Sequence, residues 1–246
     1  MSVVDVISFL MLVAVGATVQ SITGFAMGLI IMGGVAAFRV ADIAFAAAVV
    51  SIVSMINTAM ALRRTHKFVD TTYWGAIIAG LLPMTVVGVF VLHYMSGDFY
   101  RILQVMLGVV IISAGVLLMW KPAPFERRTP TPLVVAMGGL GGLIGGVYSA
   151  GGAPLAWLMY RQPVDLNRIR ATLLATFLVS TSSRTATIAM TGQMSRDILL
   201  MALLSVPVVM VTTLTSTRYA HLVPDKLVRK AVFGLLVLLG ASLVVR

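Results

Sequence analysis

Eight apolar stretches take up almost the whole chain, over residues 3–36, 41–62, 71–95, 99–120, 131–160, 167–191, 197–217 and 227–245, with short polar loops between them. A helix needs about 20 apolar residues to cross a hydrocarbon core of ~30 Å. The stretches meet that length, and little chain is left for a soluble domain. Hydrophobic residues make up 59% of the 246 and charged residues only 11%. A soluble domain carries about 25% charged residues, and one soluble core could not hide this much apolar surface. The chain is expected to be one compact, all-α integral membrane protein.

The formal net charge of +10 could suggest a nucleic-acid partner. In a membrane protein, however, basic loops gather on the cytoplasmic side and set the orientation, so no nucleic acid is expected. The partners expected are a small anionic substrate, the lipid bilayer and, in a homodimer, a second copy of the chain. With no cysteine, disulfides, thiol redox chemistry, iron–sulfur clusters and thiolate zinc sites are excluded. The sequence has no His-Glu-x-x-His run and no P-loop, so neither metal-protease nor ATP-driven chemistry is indicated. A Gly-x-Ser-x-Gly elbow is missing as well. No catalytic residue, metal or cofactor is therefore expected, and the chain reads as a non-enzyme. Met1 to Asp5 offers an acid in place of a basic n-region, which does not suit a cleaved signal peptide.

The first and fifth stretches are long and broken by small and polar residues. Val19-Gln20-Ser21-Ile22-Thr23-Gly24 lines up with Val147-Tyr148-Ser149-Ala150-Gly151-Gly152 at an offset of 128. At an offset of 127, Ser54, Asn57 and Thr58 fall on Thr181, Arg184 and Thr185, Asp70 falls on Asp197, and Asp98 falls on Asp225. Pro83 falls on Pro207 at 124, where each proline interrupts a spanning helix. Their common order points to an internal duplication. Repeat 1 covers 1–120 (hairpin 3–36, helices 41–62, 71–95 and 99–120). Repeat 2 covers 121–246 (hairpin 131–160, helices 167–191, 197–217 and 227–245).

Charge then selects a topology. If each broken segment crosses once, the loop Lys and Arg residues divide 8 against 9. If each enters and leaves by one face, Arg63, Arg64, Lys67, Lys121, Arg127, Arg128, Arg161, Arg168, Arg170, Arg218, Lys226, Arg229 and Lys230 share a side. Only Arg39, Arg101, Arg196 and Arg246 lie opposite, a 13:4 split that obeys the positive-inside rule. Each half is then a re-entrant, broken helical hairpin plus three transmembrane helices. The odd number of crossings inverts one half relative to the other. Inverted repeats with discontinuous helices are a pattern of secondary transporters, with the substrate site where the breaks meet. The long basic loops would be cytoplasmic and the protein a multi-pass component of a bacterial inner membrane.

The tips are expected near Gln20–Gly24 and Tyr148–Gly152. Gly151, Gly152 and Pro154 suit the start of a helix, and a helix N-terminus attracts an anion. The bland alternative is that these glycines and serines only let helices pack closely. Tyr148 is set at depth, whereas Tyr73, Tyr94, Tyr100, Tyr160, Tyr219 and the three tryptophans sit near segment ends like an interfacial belt. Arg184 lies inside an apolar helix among Ser180, Thr181, Ser182, Ser183, Thr185 and Thr187, with no acid at that depth. Charges inside a membrane usually mark a pathway or site, and a guanidinium fork suits an oxyanion. The alternative is that Arg184 snorkels to the interface or caps carbonyls. The candidate substrate-binding set is Gln20, Ser21, Thr23, Gly24, Asn57, Tyr148, Ser149, Gly151, Gly152, Ser183 and Arg184.

The run Gln20-Ser21-Ile22-Thr23-Gly24-Phe25-Ala26-Met27-Gly28-Leu29 resembles one signature of the sulfite exporter TauE/SafE (TSUP) family. The run 138–146 (Gly-Gly-Leu-Gly-Gly-Leu-Ile-Gly-Gly), followed by Ser149, Gly151, Gly152, Pro154 and Leu155, resembles its partner signature. Arg170-Ala171-Thr172-Leu173-Leu174, Leu222-Val223-Pro224 and Phe233-Gly234-Leu235 extend the likeness over nearly the whole chain. The first half lacks the triple glycine of many members. The resemblance implies a bacterial inner-membrane permease for sulfur-containing anions such as sulfite, thiosulfate or organosulfonates. The residues alone leave open a permease for carboxylates or other anions, and a non-transporting scaffold subunit. The topology is testable: a cysteine placed beside Arg64 or Arg127 is expected to resist an impermeant thiol reagent added from the periplasm. Labelling from that side reverses the assignment.

Overall fold

The computed structural model describes residues 2–23, 25–63, 65–96, 99–119, 125–219 and 225–245, without the side chains of 22, 117–119, 217–219 and 225–230. In chain order the helices are α1 (Val3–Thr23), α2 (Met27–Phe38), α3 (Ile43–Leu62), a 3-10 turn (His66–Phe68), α4 (Thr71–Met95) and α5 (Tyr100–Met119). The second half holds α6 (Thr131–Tyr148), α7 (Gly152–Tyr160), α8 (Leu166–Met190), α9 (Arg196–Tyr219) and α10 (Asp225–Val245). There is no strand among the described residues. Helix starts follow local chemistry. Asp70 accepts the Tyr73 amide at 3.3 Å, a side-chain cap on α4. Pro130 precedes α6, which carries a second proline in its first turn.

Among the described residues, five helices are long and apolar enough to cross a membrane: Val3–Ser21, Ile43–Leu62, Thr71–Met95, Thr131–Tyr148 and Arg196–Ser216. The two hairpins, short overall for two spans each, are short in one arm only. Their first arms, α1 and α6, have 21 and 18 residues, and the second arms, α2 and α7, have 12 and 9. At about 1.5 Å per residue, only the second arms fall well short of the hydrocarbon thickness. The breaks fall between Thr23 and Met27 and between Tyr148 and Gly152. Gln20 to Thr23, expected at a tip, are therefore the last turn of α1. The helices α4 and α9 run through Pro83 and Pro207 without interruption.

The packing runs in pairs between the two halves. α4 lies along α6, as α9 lies along α1; α3 packs on α9, as α8 packs on α4; and α10 meets α2, as α5 meets α7. α3 and α8 pack directly on each other, and so do α5 and α10. α8 is long but polar, and it buries Thr172, Thr176, Ser180, Thr181 and Arg184. Such a helix survives in a membrane protein only by facing protein. α3 shields it and is itself the most buried of the five spans. The apolar faces of α4 and α9 point outward instead, with Phe90, Leu203 and Val211 exposed.

Close packing explains much of the glycine run in α6. Gly138, Gly142 and Gly146 sit against the backbone carbonyls of Ile77, Leu81 and Thr85. The spacing is four residues on both helices, one ridge of each, and there is no room for a Cβ atom. Small residues of this kind let membrane helices approach to backbone contact.

One end of the bundle is basic. Tyr73 Oη donates to Thr129 O and Gln162 Oε1 at 3.0 and 2.7 Å, and Phe125 N donates to Arg161 O at 2.7 Å. Asp70 accepts an ion pair from Arg128 at 3.2 Å, and its amide donates to Thr172 Oγ1. These bonds bring segments 63–70, 125–130 and 161–172 together, and with them Arg63, Lys67, Arg127, Arg128, Arg161, Arg168 and Arg170. Arg64, Lys121 and the side chains of Arg218, Lys226, Arg229 and Lys230 lie outside the described residues. Tyr73 is thus an interior group rather than part of an aromatic belt; it is 7% exposed.

Gly142→Ala is expected to lower the melting temperature of the purified protein, because its Cβ would strike the Leu81 backbone. Gly75→Ala meets nothing within 4 Å and should be neutral or stabilising by up to ~1 kcal/mol. Equal effects at both positions would remove the packing explanation.

Candidate substrate-binding site

The two breaks meet. Gly28, in the first turn of α2, lies so close to the Ser149 carbonyl that a Cβ atom would overlap it. Only glycine permits that approach. Around the meeting point is a central cavity of about 30 Å³, room for roughly one or two waters. Its walls combine the start of α2 (Phe25, Ala26, Gly28) with the start of α7 (Gly151, Gly152). Hydroxyls from the middle of α3 (Ser54, Thr58) and α8 (Ser180, Thr181), together with Gln20 and Arg184, complete it. No acidic side chain lines it among the described residues.

The backbone turns sharply at both breaks. Ala26 has φ 86° and Ser149 φ 54°, left-handed conformations that cost a non-glycine residue about 1–2 kcal/mol. Thr23 offsets part of that cost: its Oγ1 bridges Val19 O and Phe25 O at 2.8 and 2.7 Å. Tyr160, at the end of α7, donates to Thr23 O at 2.8 Å and packs its ring on Phe25. Tyr160 therefore staples one hairpin to the other and is not a belt residue.

Arg184 is 1% exposed. Its Nε donates to Gly146 O at 2.8 Å, and its Nη1 donates to Ala47 O and Ser51 Oγ, both at 2.6 Å. Gly146 is in the last turn of α6, where carbonyls lack helical partners and the helix dipole is negative. The guanidinium therefore finds its counter-charge in backbone carbonyls, the capping alternative raised by the sequence, while still lining the cavity. The two Nη2 hydrogens are bonded to none of the described residues. Ser51 Oγ in turn lies 3.1 Å from Ser149 Oγ, so one chain of contacts joins α6, α8, α3 and the second break.

The structure assembles part of the expected set. Gln20, Ser149, Gly151, Gly152 and Arg184 line the cavity, and Gln20 Nε2 donates to Thr58 Oγ1 at 3.1 Å. Tyr148 does not line it; its hydroxyl donates to Leu103 O on α5 at 2.9 Å. Asn57 is buried beside it, with Nδ2 on Met27 Sδ and Oδ1 accepting from Thr213 Oγ1. Ser21 Oγ donates back to Ala17 O; Ser183 is not part of the cavity lining, and its carbonyl accepts from Thr187 Oγ1 at 2.9 Å. Thr23 supports the break without reaching the cavity, and Gly24 lies outside the described residues. Ser51, Ser54, Thr58, Phe177 and Ser180 were not singled out as ligands. Their signal was spacing: 51, 54 and 58 on α3, and 177, 180, 181 and 184 on α8, each follow the three-and-four rhythm of one helix face.

Comparison with known proteins decides the family. The model of the family described as sulfite exporter TauE/SafE matches residues 8–243. The chain belongs to the TauE/SafE family. A curated relative from Cupriavidus necator, named a probable sulfite/organosulfonate exporter TauE, is 37% identical over 232 residues, 94% of this chain and 91% of that protein. No solved structure matches. The family and the relative indicate a multi-pass membrane transporter. The glycine-rich runs behind the resemblance now have places in the molecule, one at each break.

Ser51→Ala removes a partner of both Arg184 and Ser149. It should cost about 1–3 kcal/mol as a buried charged donor loses one acceptor, read as a fall in melting temperature. An unchanged melt would show that the bond carries no stability.

Proposed function

We propose that the protein is a secondary transporter that exports small sulfur-containing oxyanions, sulfite or organosulfonates, through the central cavity. The observation that carries this reading is Arg184, a buried guanidinium with no acidic partner among the described residues, on the wall where two helix starts converge. Helix N-termini and a guanidinium both favour negative charge. The hydroxyls of Ser54, Thr58, Ser180 and Thr181 supply donors for the remaining oxygens. The name of the Cupriavidus necator relative supports sulfur in the substrate.

Alternating access between two inverted repeats is the mechanism we infer. The exchange-related packing of the halves supports it, because a swap of repeat 1 for repeat 2 turns each helix pair into another that exists. Gln20, Ser149, Gly151, Gly152 and Arg184 would bind the anion. Thr23, Asn57 and Tyr148 would hold the breaks and their neighbours in place. A membrane potential of 100 mV, inside negative, favours export of one anionic charge by ~2.3 kcal/mol. Export therefore needs no coupling ion in principle. We take the basic end to be cytoplasmic, in a bacterial inner membrane, by the positive-inside rule.

The test is thermal stabilisation of the purified protein by sulfite, thiosulfate, sulfoacetate and taurine, with acetate and malonate as comparators. A ligand that binds only the folded state raises apparent stability. Sulfur oxyanions should raise the melting temperature of the wild type, and Arg184→Leu should lose that response. Stabilisation by the carboxylates alone would move the substrate class to carboxylates. A wild type that ignores every anion, with no anion flux in proteoliposomes, would leave the transport reading without support.

A further inference from the structure

The central cavity is not the only one that Arg184 lines. A larger cavity of about 310 Å³ lies between the first turns of α3, the end of α4 and the α8–α9 turn. Ala44, Ala48, His93, Gln193 and Ser195 are among its walls, and Arg184 and Ile188 lie at its inner end. Its outer residues His93, Ser96 and Ser195 are exposed, at the end opposite the basic loops. The order along the helices is consistent. On α3 the central cavity takes Thr58 and Ser54 and the larger one takes Ala48 and Ala44, with Ser51 between them. On α8 the sequence is Phe177, Ser180 and Thr181, then Arg184, then Ile188.

We propose that this larger cavity is the outer vestibule of the anion pathway, and that the Arg184 side chain, held by Gly146, Ala47 and Ser51, is the partition between vestibule and central site. The assignment rests on the oxyanion reading of the central cavity and extends it to the exit route. No acidic side chain lines the vestibule among the described residues. A guanidinium at the bottom of such a funnel concentrates anions and repels cations. The uncommitted Nη2 group gives a passing oxyanion a donor without first breaking the three bonds that hold the side chain. The same cation thus serves both compartments, one on either side of it.

The chain has no cysteine, so single cysteines report cleanly. Ala48→Cys probes the vestibule, Ser195→Cys its mouth and Ser54→Cys the central cavity. Each is treated, in sealed vesicles of both orientations, with an anionic sulfonatoethyl and a cationic trimethylammonioethyl methanethiosulfonate. Ala48→Cys should react from the face opposite the basic loops. Normalised to Ser195→Cys, the anionic reagent should be faster than the cationic one by about tenfold or more. Arg184→Gln should abolish that preference and Arg184→Lys should retain it. If Arg184→Gln does not fold, the comparison of Ala48→Cys with Ser195→Cys in the presence of Arg184 still decides. Labelling of Ala48→Cys only from the basic face, no labelling while Ser195→Cys reacts, or a preference indifferent to Arg184 would each overturn the proposal. Reaction of Ser54→Cys from the outer face at the rate of Ala48→Cys would remove Arg184 as a partition. Labelling requires no known substrate. A vestibule with the expected charge preference, in a protein that sulfur anions fail to stabilise, would therefore sink the sulfur reading alone.

Discussion

The structure turns on one buried guanidinium and the backbone carbonyls that hold it. Taking a charge out of water costs several kcal/mol even after relaxation, and among the described residues Arg184 has no carboxylate beside it to offset that. Its compensation comes from Gly146 O, Ala47 O and Ser51 Oγ. A carbonyl at the end of α6 is a good acceptor because no helical amide competes for it. The bond network needs α3, α6 and α8 in fixed register, so the polar centre also sets how those helices meet. A hydrophobic replacement would spare the desolvation cost but would leave the Gly146 carbonyl without its charged donor.

That centre can exist only because backbones come close. The α4–α6 glycine ladder and the Gly28–Ser149 contact bring main chains to distances that no side chain allows. The hydrocarbon core offers no hydrogen bonds, so each amide or carbonyl freed at this depth must find a protein partner or face a cavity that admits water or a ligand. The two breaks are such places. Their left-handed Ala26 and Ser149 are strained positions of the kind that gather at functional sites, and Thr23 and Tyr160 hold them in place. Close glycine packing thus surrounds a strained, polar centre.

Much of the fold was legible in the residues. Apolar length located the segments to within a few residues because hydropathy is a local property of each stretch. Arg184 stood out because a lone charge at depth is rare whatever surrounds it. Where the sequence reading slipped, it leaned on residue likeness. The match of Val-Gln-Ser with Val-Tyr-Ser puts the breaks at an offset of 128, whereas α2 begins at Met27 and α7 at Gly152, 125 residues apart. Similar residue types drew the alignment, but the chain turns where Gly28 must clear the Ser149 carbonyl. Tyr148 bonds Leu103 O and Tyr160 bonds Thr23 O, so neither takes its expected role: depth along the sequence does not say which way a ring points.

The residues alone, then, gave the membrane class, the approximate segment bounds, two broken segments and one charge at depth, Arg184. Their helix-face spacing also held the hydroxyls of α3 and α8 in plain view. Only the tertiary structure decided which of these groups share a cavity and what satisfies Arg184. The acceptors are backbone carbonyls 38 and 137 residues away along the chain. Every residue carries a carbonyl, so no residue type announces the one that will be left free, at the end of one helix, for a guanidinium on another.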